Sequence, residues 1–217
     1  MRVAFLFCGR INRYRDCYDS FMQHLVRSLG AEYDSFLAHN SENGSTDINT
    51  FVDLYSVKSF TNEPSELQQF HGMRLEASQE FQQAVGNGFR MFYFWKRAYE
   101  LMETYSKTHN VHYDVVVYLR ADEIFYSDLK LPSLEQNCVY IPEGNDFLSG
   151  VNDQMALGNM DTMKKFMDVY PLIVKIYSET NIPFHPETYL SESIRIHGLD
   201  VKRFNLNYHL HAERRNM

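Results

Sequence analysis

A chain of 217 residues, 44% hydrophobic and 23% charged, is long enough for one sizeable α/β domain and too short for a second independent core. Its formal net charge of −7 argues against nonspecific binding to nucleic acid or to an anionic membrane, where a basic surface is expected. Three cysteines (Cys8, Cys17 and Cys138), irregularly spaced and without a CxxC pair, favour free thiols in a reducing compartment over a disulfide framework or a zinc knuckle.

Val3 to Cys8 reads as a buried strand broken by Gly9-Arg10. It is too short for a signal h-region or a membrane span, so the expected location is the cytoplasm. Tyr14 to Leu29 has helical spacing, with Gly30 as its C-terminal cap. Tyr33 to Ala38 is a second strand, and a turn-rich stretch from His39 to Ser45 follows it. Within that stretch, Asn43-Gly44-Ser45 matches a glycosylation acceptor but reads as a turn. Strand, helix, strand in this order implies a parallel βαβ unit with a right-handed crossover.

Next come a short helix from Asp47, a strand over Val57 to Phe60 and a loop at Thr61-Asn62-Glu63-Pro64. Glu66 to Gln83 has few apolar anchors and is either an exposed helix or a mobile loop. Phe89 to Ser106 carries a helical apolar stripe and leads to a central strand at Asp114 to Leu119, with a further strand at Cys138 to Ile141. Asp161 can cap a helix running to Tyr177 that Pro171 kinks or breaks. Pro186 opens another helix, Gly198 ends it, and Val201 to His211 alternates as an edge strand. No repeat, low-complexity tract or linker divides residues 1–217, so a single α/β/α sandwich around a mixed sheet is expected. The abrupt basic end at Glu213-Arg214-Arg215-Asn216-Met217 is compatible with a domain cut from a larger enzyme.

The most informative segment is Tyr113 to Phe125. A β-branched apolar run enters Arg120-Ala121-Asp122-Glu123, so a buried strand delivers charge at its C-terminal edge, where ligands sit in open α/β sheets. A carboxylate there suits a hard divalent cation, and a guanidinium suits phosphate oxygens. Together they point to a phosphorylated ligand; the plainer reading is a strand capped by a solvated turn. Residues two apart in an extended segment face one side, so Arg120 and Asp122 can address one ligand. Glu123 faces away if the strand persists and becomes a second-choice ligand if a turn begins there.

Gly150-Val151-Asn152-Asp153-Gln154, ahead of the apolar Met155-Ala156-Leu157, reads as a polar loop feeding a strand, or more plainly as an Asx-type turn. His209 and His211 are also two apart and can share a face, although one pair is weak support for zinc. The 15 tyrosines and 16 phenylalanines offer rings for stacking on sugars or bases, but the Phe92, Trp95, Tyr99 stripe reads as core and no ring is assigned a ligand. With no GxGxxG, Walker loop, HExxH or GxSxG, dehydrogenase, NTPase, zincin and α/β-hydrolase readings have no support.

The order of Val-Ala-Phe-Leu-Phe-Cys-Gly-Arg, Tyr33-Asp34-Ser35-Phe36-Leu37-Ala38-His39, Tyr-Asp-Val-Val-Val-Tyr-Leu-Arg-Ala-Asp, Gly150 to Gly158 and His185-Pro186-Glu187 resembles a known family. It is that of the small GT-A-type glycosyltransferases of polysaccharide gene clusters and of large, chlorella-type DNA viruses that glycosylate their own capsids. The resemblance implies a nucleotide-diphospho-sugar transferase with Mn²⁺ or Mg²⁺ as cofactor, a UDP-sugar as donor and a glycan or glycoprotein as acceptor.

Asp122 then matches the last residue of the family's Asp-x-Asp metal motif, and Arg120, in its first place, can supply part of the positive charge itself; the other reading of Asp122 is a structural ion pair with Arg120. Gly9 and Arg10 would border the nucleotide or, more plainly, form a strand-to-helix turn; Arg13 and Arg15 are either in reach of a diphosphate or on a solvated helix face. Asp153 is the candidate base that deprotonates the acceptor hydroxyl, with Asp146 and Glu187 as rivals. Asn152, Gln154, His185 and Glu187 would bind the acceptor, and His209 or His211 would complete the metal shell. Two other readings stand beside this one: a sugar-nucleotide or glycan-binding module that lost the chemistry, and a nucleotidyltransferase of related architecture.

Overall fold

A computed structural model describes residues 1–40, 47–64, 79–180, 182 and 184–211, with the backbone alone over 79–85. The Asn43 triplet, the polar stretch up to residue 78 and the chain end from Glu213 lie outside the described residues.

Strand β1 (Arg2–Gly9) pairs in parallel with β2 (Glu32–Asn40). Between them run α1 (Tyr14–Phe21) and a π-helical turn over Met22–Arg27, and the helix ends at Gly30 with φ 54° as its glycine predicts. α2 (Ile48–Leu54) starts at Asp47, whose carboxylate accepts from the Thr50 amide at 3.1 Å. β3 (Val57–Glu63) then adds to β2 in parallel. The expected loop at Thr61-Asn62-Glu63 is strand instead, because pairing with Ala38, His39 and Asn40 outweighs the local turn preference.

α3 (Gln79–His109) carries the chain back across the sheet to β4 (Val115–Leu119), which pairs in parallel with the other side of β1. β5 (Glu123–Phe125) leaves the main sheet, which continues with β6 (Cys138–Pro142) and β7 (Ala156–Gly158). α4 (Met160–Phe166) follows, capped by Asn159 and not by Asp161. Asn159 has the extended backbone a cap requires and accepts from the Thr162 amide at 2.9 Å, while Asp161 lies inside the first turn. Pro171 breaks the helix, in a 3₁₀ turn, before α5 (Ile173–Glu179). α6 (Pro186–Ile196) opens on its proline and is followed by Gly198 at φ 62°.

The expected single tail strand is divided. β8 (Asp200–Phe204) pairs with β6 at the sheet edge, and β9 (Tyr208–Leu210) forms a two-stranded antiparallel sheet with β5. The seven-stranded order is β3-β2-β1-β4-β7-β6-β8, parallel except for β7, which runs antiparallel to both neighbours.

Alternation along β1 builds both layers of core. Val3, Phe5 and Phe7 meet Phe21, Phe51 and Tyr55 on the α1–α2 side, while Ala4 and Leu6 face α3. Both faces are therefore apolar, as a parallel sheet covered by helices demands. Small residues at Ala4, Ala38 and Ala156 leave room for Trp95, fully buried and 4.4 Å from the Tyr118 ring centroid. At the opposite sheet end, buried Asp34 accepts from Arg2 Nε at 2.9 Å and Tyr113 Oη at 2.8 Å, so its charge is compensated.

Truncating Trp95 to alanine is expected to cost about 3–5 kcal/mol by urea unfolding. Phe60→Ala, at a ring 44% exposed on β3, should change stability by less than about 1 kcal/mol.

Candidate functional site

From β1 the chain moves to β2 and β3 on one side and returns to β4 on the other. Loops leaving the ends of β1 and β4 therefore diverge, and open α/β sheets bind ligands in the crevice this creates. Here it holds a cavity of about 320 Å³, at the lower end of the range for small-molecule sites. Gly9 and Arg10 after β1, Asn40 at the end of β2, and Tyr118 and Arg120 at the end of β4 line it. Arg90 and Phe94 of α3 form a wall, with Pro186 at the start of α6. Gly9 turns the chain at φ 80°, a conformation side chains rarely adopt. At Gly88 a Cβ would fall 2.8 Å from the Phe184 ring, so this glycine lets α3 close against the approach to α6.

Arg120 and Asp122 do face one another. Nε and Nη2 donate to the two carboxylate oxygens at 2.9 and 2.8 Å, a fork-on-fork pair. Burial disfavours the Arg120 charge, but the hydrogen bond and charge of Asp122, with Tyr118 and Glu123 nearby, together outweigh it and raise the guanidinium above its ordinary value. The Arg120 side chain nevertheless keeps 40% of its surface exposed, so it can meet a ligand as well as its partner. Glu123 begins β5 after a turn at Ala121-Asp122, and its side chain is buried with both carboxylate oxygens unpartnered. Burial pushes that carboxyl well above its usual range, which favours the neutral acid.

The Asp153 loop reaches the same region through Gly150. An added Cβ there would lie 2.3 Å from the Glu187 carbonyl carbon, so only glycine lets the loop rest on the first turn of α6. Burial, and next the Glu187 carboxylate, raise Asp153 to about 6, with Arg120 and His185 opposing the shift. His185 Nδ1 stands 2.6 Å from Glu187 Oε2. Arg120, Asp153, His185 and Glu187 are thus electrostatically coupled, although they come from β4, the β7 loop and α6.

Other expected site residues are engaged elsewhere. Asn152, proposed from sequence for the acceptor, is buried, donates to Tyr208 Oη at 2.8 Å and accepts from the Gln154 amide at 2.9 Å. It makes the Asx turn itself. Gln154 accepts from Asn145 at 3.4 Å, at the exposed edge of the same loop. Asp146, the rival base, receives Arg203 Nη2 at 2.9 Å on both oxygens. Arg13 and Arg15 lie outside the cavity lining and face Asp16 at 3.7 Å and Asp47 at 3.1 Å. Their positions on α1 turn them towards carboxylates near α2 and the helix start.

A Mn²⁺ or Mg²⁺ site would need several oxygen or nitrogen ligands converging on one point. Both Asp122 oxygens are occupied by Arg120. His209 stacks on Tyr126 with ring centroids 5.1 Å apart, whereas His211 lies 3.3 Å from Asp16. The two histidines therefore take different partners: the His211 amide donates to the Asp122 carbonyl at 2.7 Å, while His209 lies opposite Ile124 in the β5–β9 ladder. Among the described residues no three His, Cys, Asp or Glu side chains are placed to hold a metal ion. This donor arrangement does not fit the expected cofactor. Neither Cys8 nor Cys17 is an activated thiol, since burial pushes both upward, Cys17 to about 12.

Sequence reasoning missed Arg90, Asn40 and Phe94. The available signal was Gly86-Asn87-Gly88 at the head of a helical stripe, where glycine carries a conformational cost and marks close approach.

The molecule defined by this geometry is a helix-flanked α/β protein with a mostly parallel mixed sheet and a switch-point cleft. It belongs to the family described as Domain of unknown function (DUF7796), which matches residues 1–217. No curated protein matches the sequence. Among the described residues no helix is long and apolar enough to cross a membrane.

The raised Asp153 carries a linkage consequence. Between its ordinary value of 3.8 and about 6 the native state holds the proton more tightly than the unfolded chain. The associated stabilisation is complete below that window and is lost as pH rises through it. Asp153→Asn should therefore be more stable than wild type above pH 6, on the order of 2 kcal/mol, and no more stable near pH 4. Urea unfolding at both ends of the window reads the difference.

Proposed function

We propose that the protein is a GT-A-type glycosyltransferase, acting in the cytoplasm. In this reading it moves a sugar from a nucleotide diphosphate donor, expected to be a UDP-sugar, to a hydroxyl of a glycan or glycoprotein. The observation that carries the reading is Arg120, which lines the switch-point cleft at the end of β4 and is aimed by its two-pronged bond to Asp122, with Asp153 near enough for the guanidinium charge to act on it. The mixed central sheet agrees with the GT-A resemblance, and a cleft lined by Arg10, Arg90 and Arg120 suits a diphosphate.

The donor's diphosphate lies against the Arg120 guanidinium and the backbone at Gly9, with the base and ribose along α3. Asp153 takes the proton from the acceptor hydroxyl while that oxygen attacks the anomeric carbon. The carbon–oxygen bond to the diphosphate breaks, and the nucleoside diphosphate leaves with the electron pair, its new charge met by Arg120. A base at about 6 is mostly ionised at neutral pH, so transfer should rise with pH through that value and then level off. Among the described residues the donor side chains are not arranged for a metal, so the charge of the leaving group falls to Arg120.

Three samples test the proposal: wild type, Arg120→Met and Asp153→Asn, each with a panel of UDP- and GDP-sugars in EDTA and in Mn²⁺. Wild type should bind its donor in EDTA by calorimetry, and Arg120→Met should bind at least tenfold more weakly. Asp153→Asn should keep donor affinity but lose product formation by about 10²–10⁴-fold. Transfer unchanged in Asp153→Asn, or donor binding that requires Mn²⁺ and ignores Arg120, would sink it. Binding without product would favour a sugar-nucleotide-binding module, and pyrophosphate release from a nucleoside triphosphate would favour a nucleotidyltransferase.

A further inference from the structure

Beside the Asp153 loop two consecutive large apolar side chains face solvent, Phe147 at 51% and Leu148 at 73% exposed. Adjacent exposed apolar residues on an ordered surface mark contact sites more often than a single one does. The backbone is also unusual: Asn145 and Leu148 both take positive φ, 57° and 53°, and Leu148 has no hydrogen-bonding side chain to favour it. Such conformations persist only where the surroundings hold them, and here they do. Asn145 Nδ2 reaches Tyr208 Oη at 3.4 Å, Asp146 pairs with Arg203, and the Gly150 amide donates to the Phe147 carbonyl at 3.0 Å. Gly150 itself lies against the Glu187 backbone. The loop is thus fixed while its ring is held outward.

That ring lies on His185, with centroids 4.5 Å apart and planes at 24°. His185 is in turn 2.6 Å from the Glu187 carboxylate, whose charge acts on Asp153. One face of the ring is therefore backed by an imidazole that stands against a carboxylate, and the same loop carries the side-chain amides of Asn145 and Gln154.

Resting on the transferase reading, we propose that Phe147 and His185 form the platform for the acceptor, a neutral pyranose. Its apolar C–H face stacks on Phe147, its rim hydroxyls bond to Glu187 and the loop amides, and the attacking hydroxyl faces Asp153. Two carboxylates at the rim exclude uronic or sulfated sugars by like charge. A lipid tail or apolar peptide would desolvate those carboxylates and offer them no hydrogen-bond donor, so a hydroxylated ring is the better match.

Saturation-transfer NMR on the full chain without donor tests the platform. Its probes are methyl glycosides of glucose, galactose, mannose, rhamnose and fucose, with methyl glucuronide as the anionic control. At least one neutral glycoside should bind wild type and Phe147→Trp, bind Phe147→Ala at least tenfold more weakly, and outcompete the glucuronide. Phe147 is half exposed, so Phe147→Ala should keep the wild-type melting temperature and UDP affinity. Equal glycoside binding by Phe147→Ala, or UDP binding with no glycoside binding at all, overturns the platform. Phe147-dependent glycoside binding in a protein that binds no nucleotide sugar upholds the platform and removes the transferase.

Discussion

The site depends on the burial of β4 on both faces. Every residue from Val115 to Leu119 is buried, so no charge can be tolerated along its length and the first one falls where the strand emerges. β1, its parallel neighbour, ends alongside at Gly9, and the chain's reversal between these two strands keeps either loop from covering the gap. Arg120 is consequently presented to a cleft by a rigid strand instead of by a loop. A guanidinium held this way loses little further freedom when a ligand arrives, which is the physical basis of preorganised charge stabilisation.

The Arg120–Asp122 pair is better understood as positioning than as stabilisation. A partly exposed ion pair contributes little to folding, about 1 kcal/mol or less. Its geometry does something else: the two-pronged contact aims the guanidinium and fixes its plane. One consequence is that Asp122 becomes unsuited to binding a cation in this arrangement. Sequence spacing put both residues on one side by treating the segment as extended, whereas a turn at Ala121-Asp122 brings the two side chains together. What spacing alone leaves open is whether two neighbours share a ligand or bind each other.

Gly150 plays the complementary part on the far side of the cleft. By allowing the loop to rest on the Glu187 backbone, it sets Asp153 where burial first, and then the Glu187 carboxylate, raise it into a range useful for proton transfer. The same contact orders the strained stretch from Asn145 to Leu148 that exposes Phe147. Asn152, which had looked like a recognition residue, instead supplies the Asx turn and the bond to Tyr208 that hold this loop together.

Apolar periodicity determined the βαβ opening, the α3 stripe and the central strand, because burial fixes which residues alternate and which recur every turn. Glycine and proline likewise marked the ends at Gly30, Pro171, Pro186 and Gly198 through backbone sterics local to each residue. The strand character of Thr61 to Glu63 was hidden because its ladder partners lie on β2. The division of the tail was hidden too, since β8 and β9 are defined by β6 and β5 and not by their own residues. The same holds for the site. Arg120, Asp122 and Asp153 could be named from sequence, but the pairing of the first two and the raised carboxyl of the third depend on neighbours far along the chain. Only the folded arrangement of β4, the β7 loop and α6 brings those charges together, and electrostatic coupling acts through distance in space.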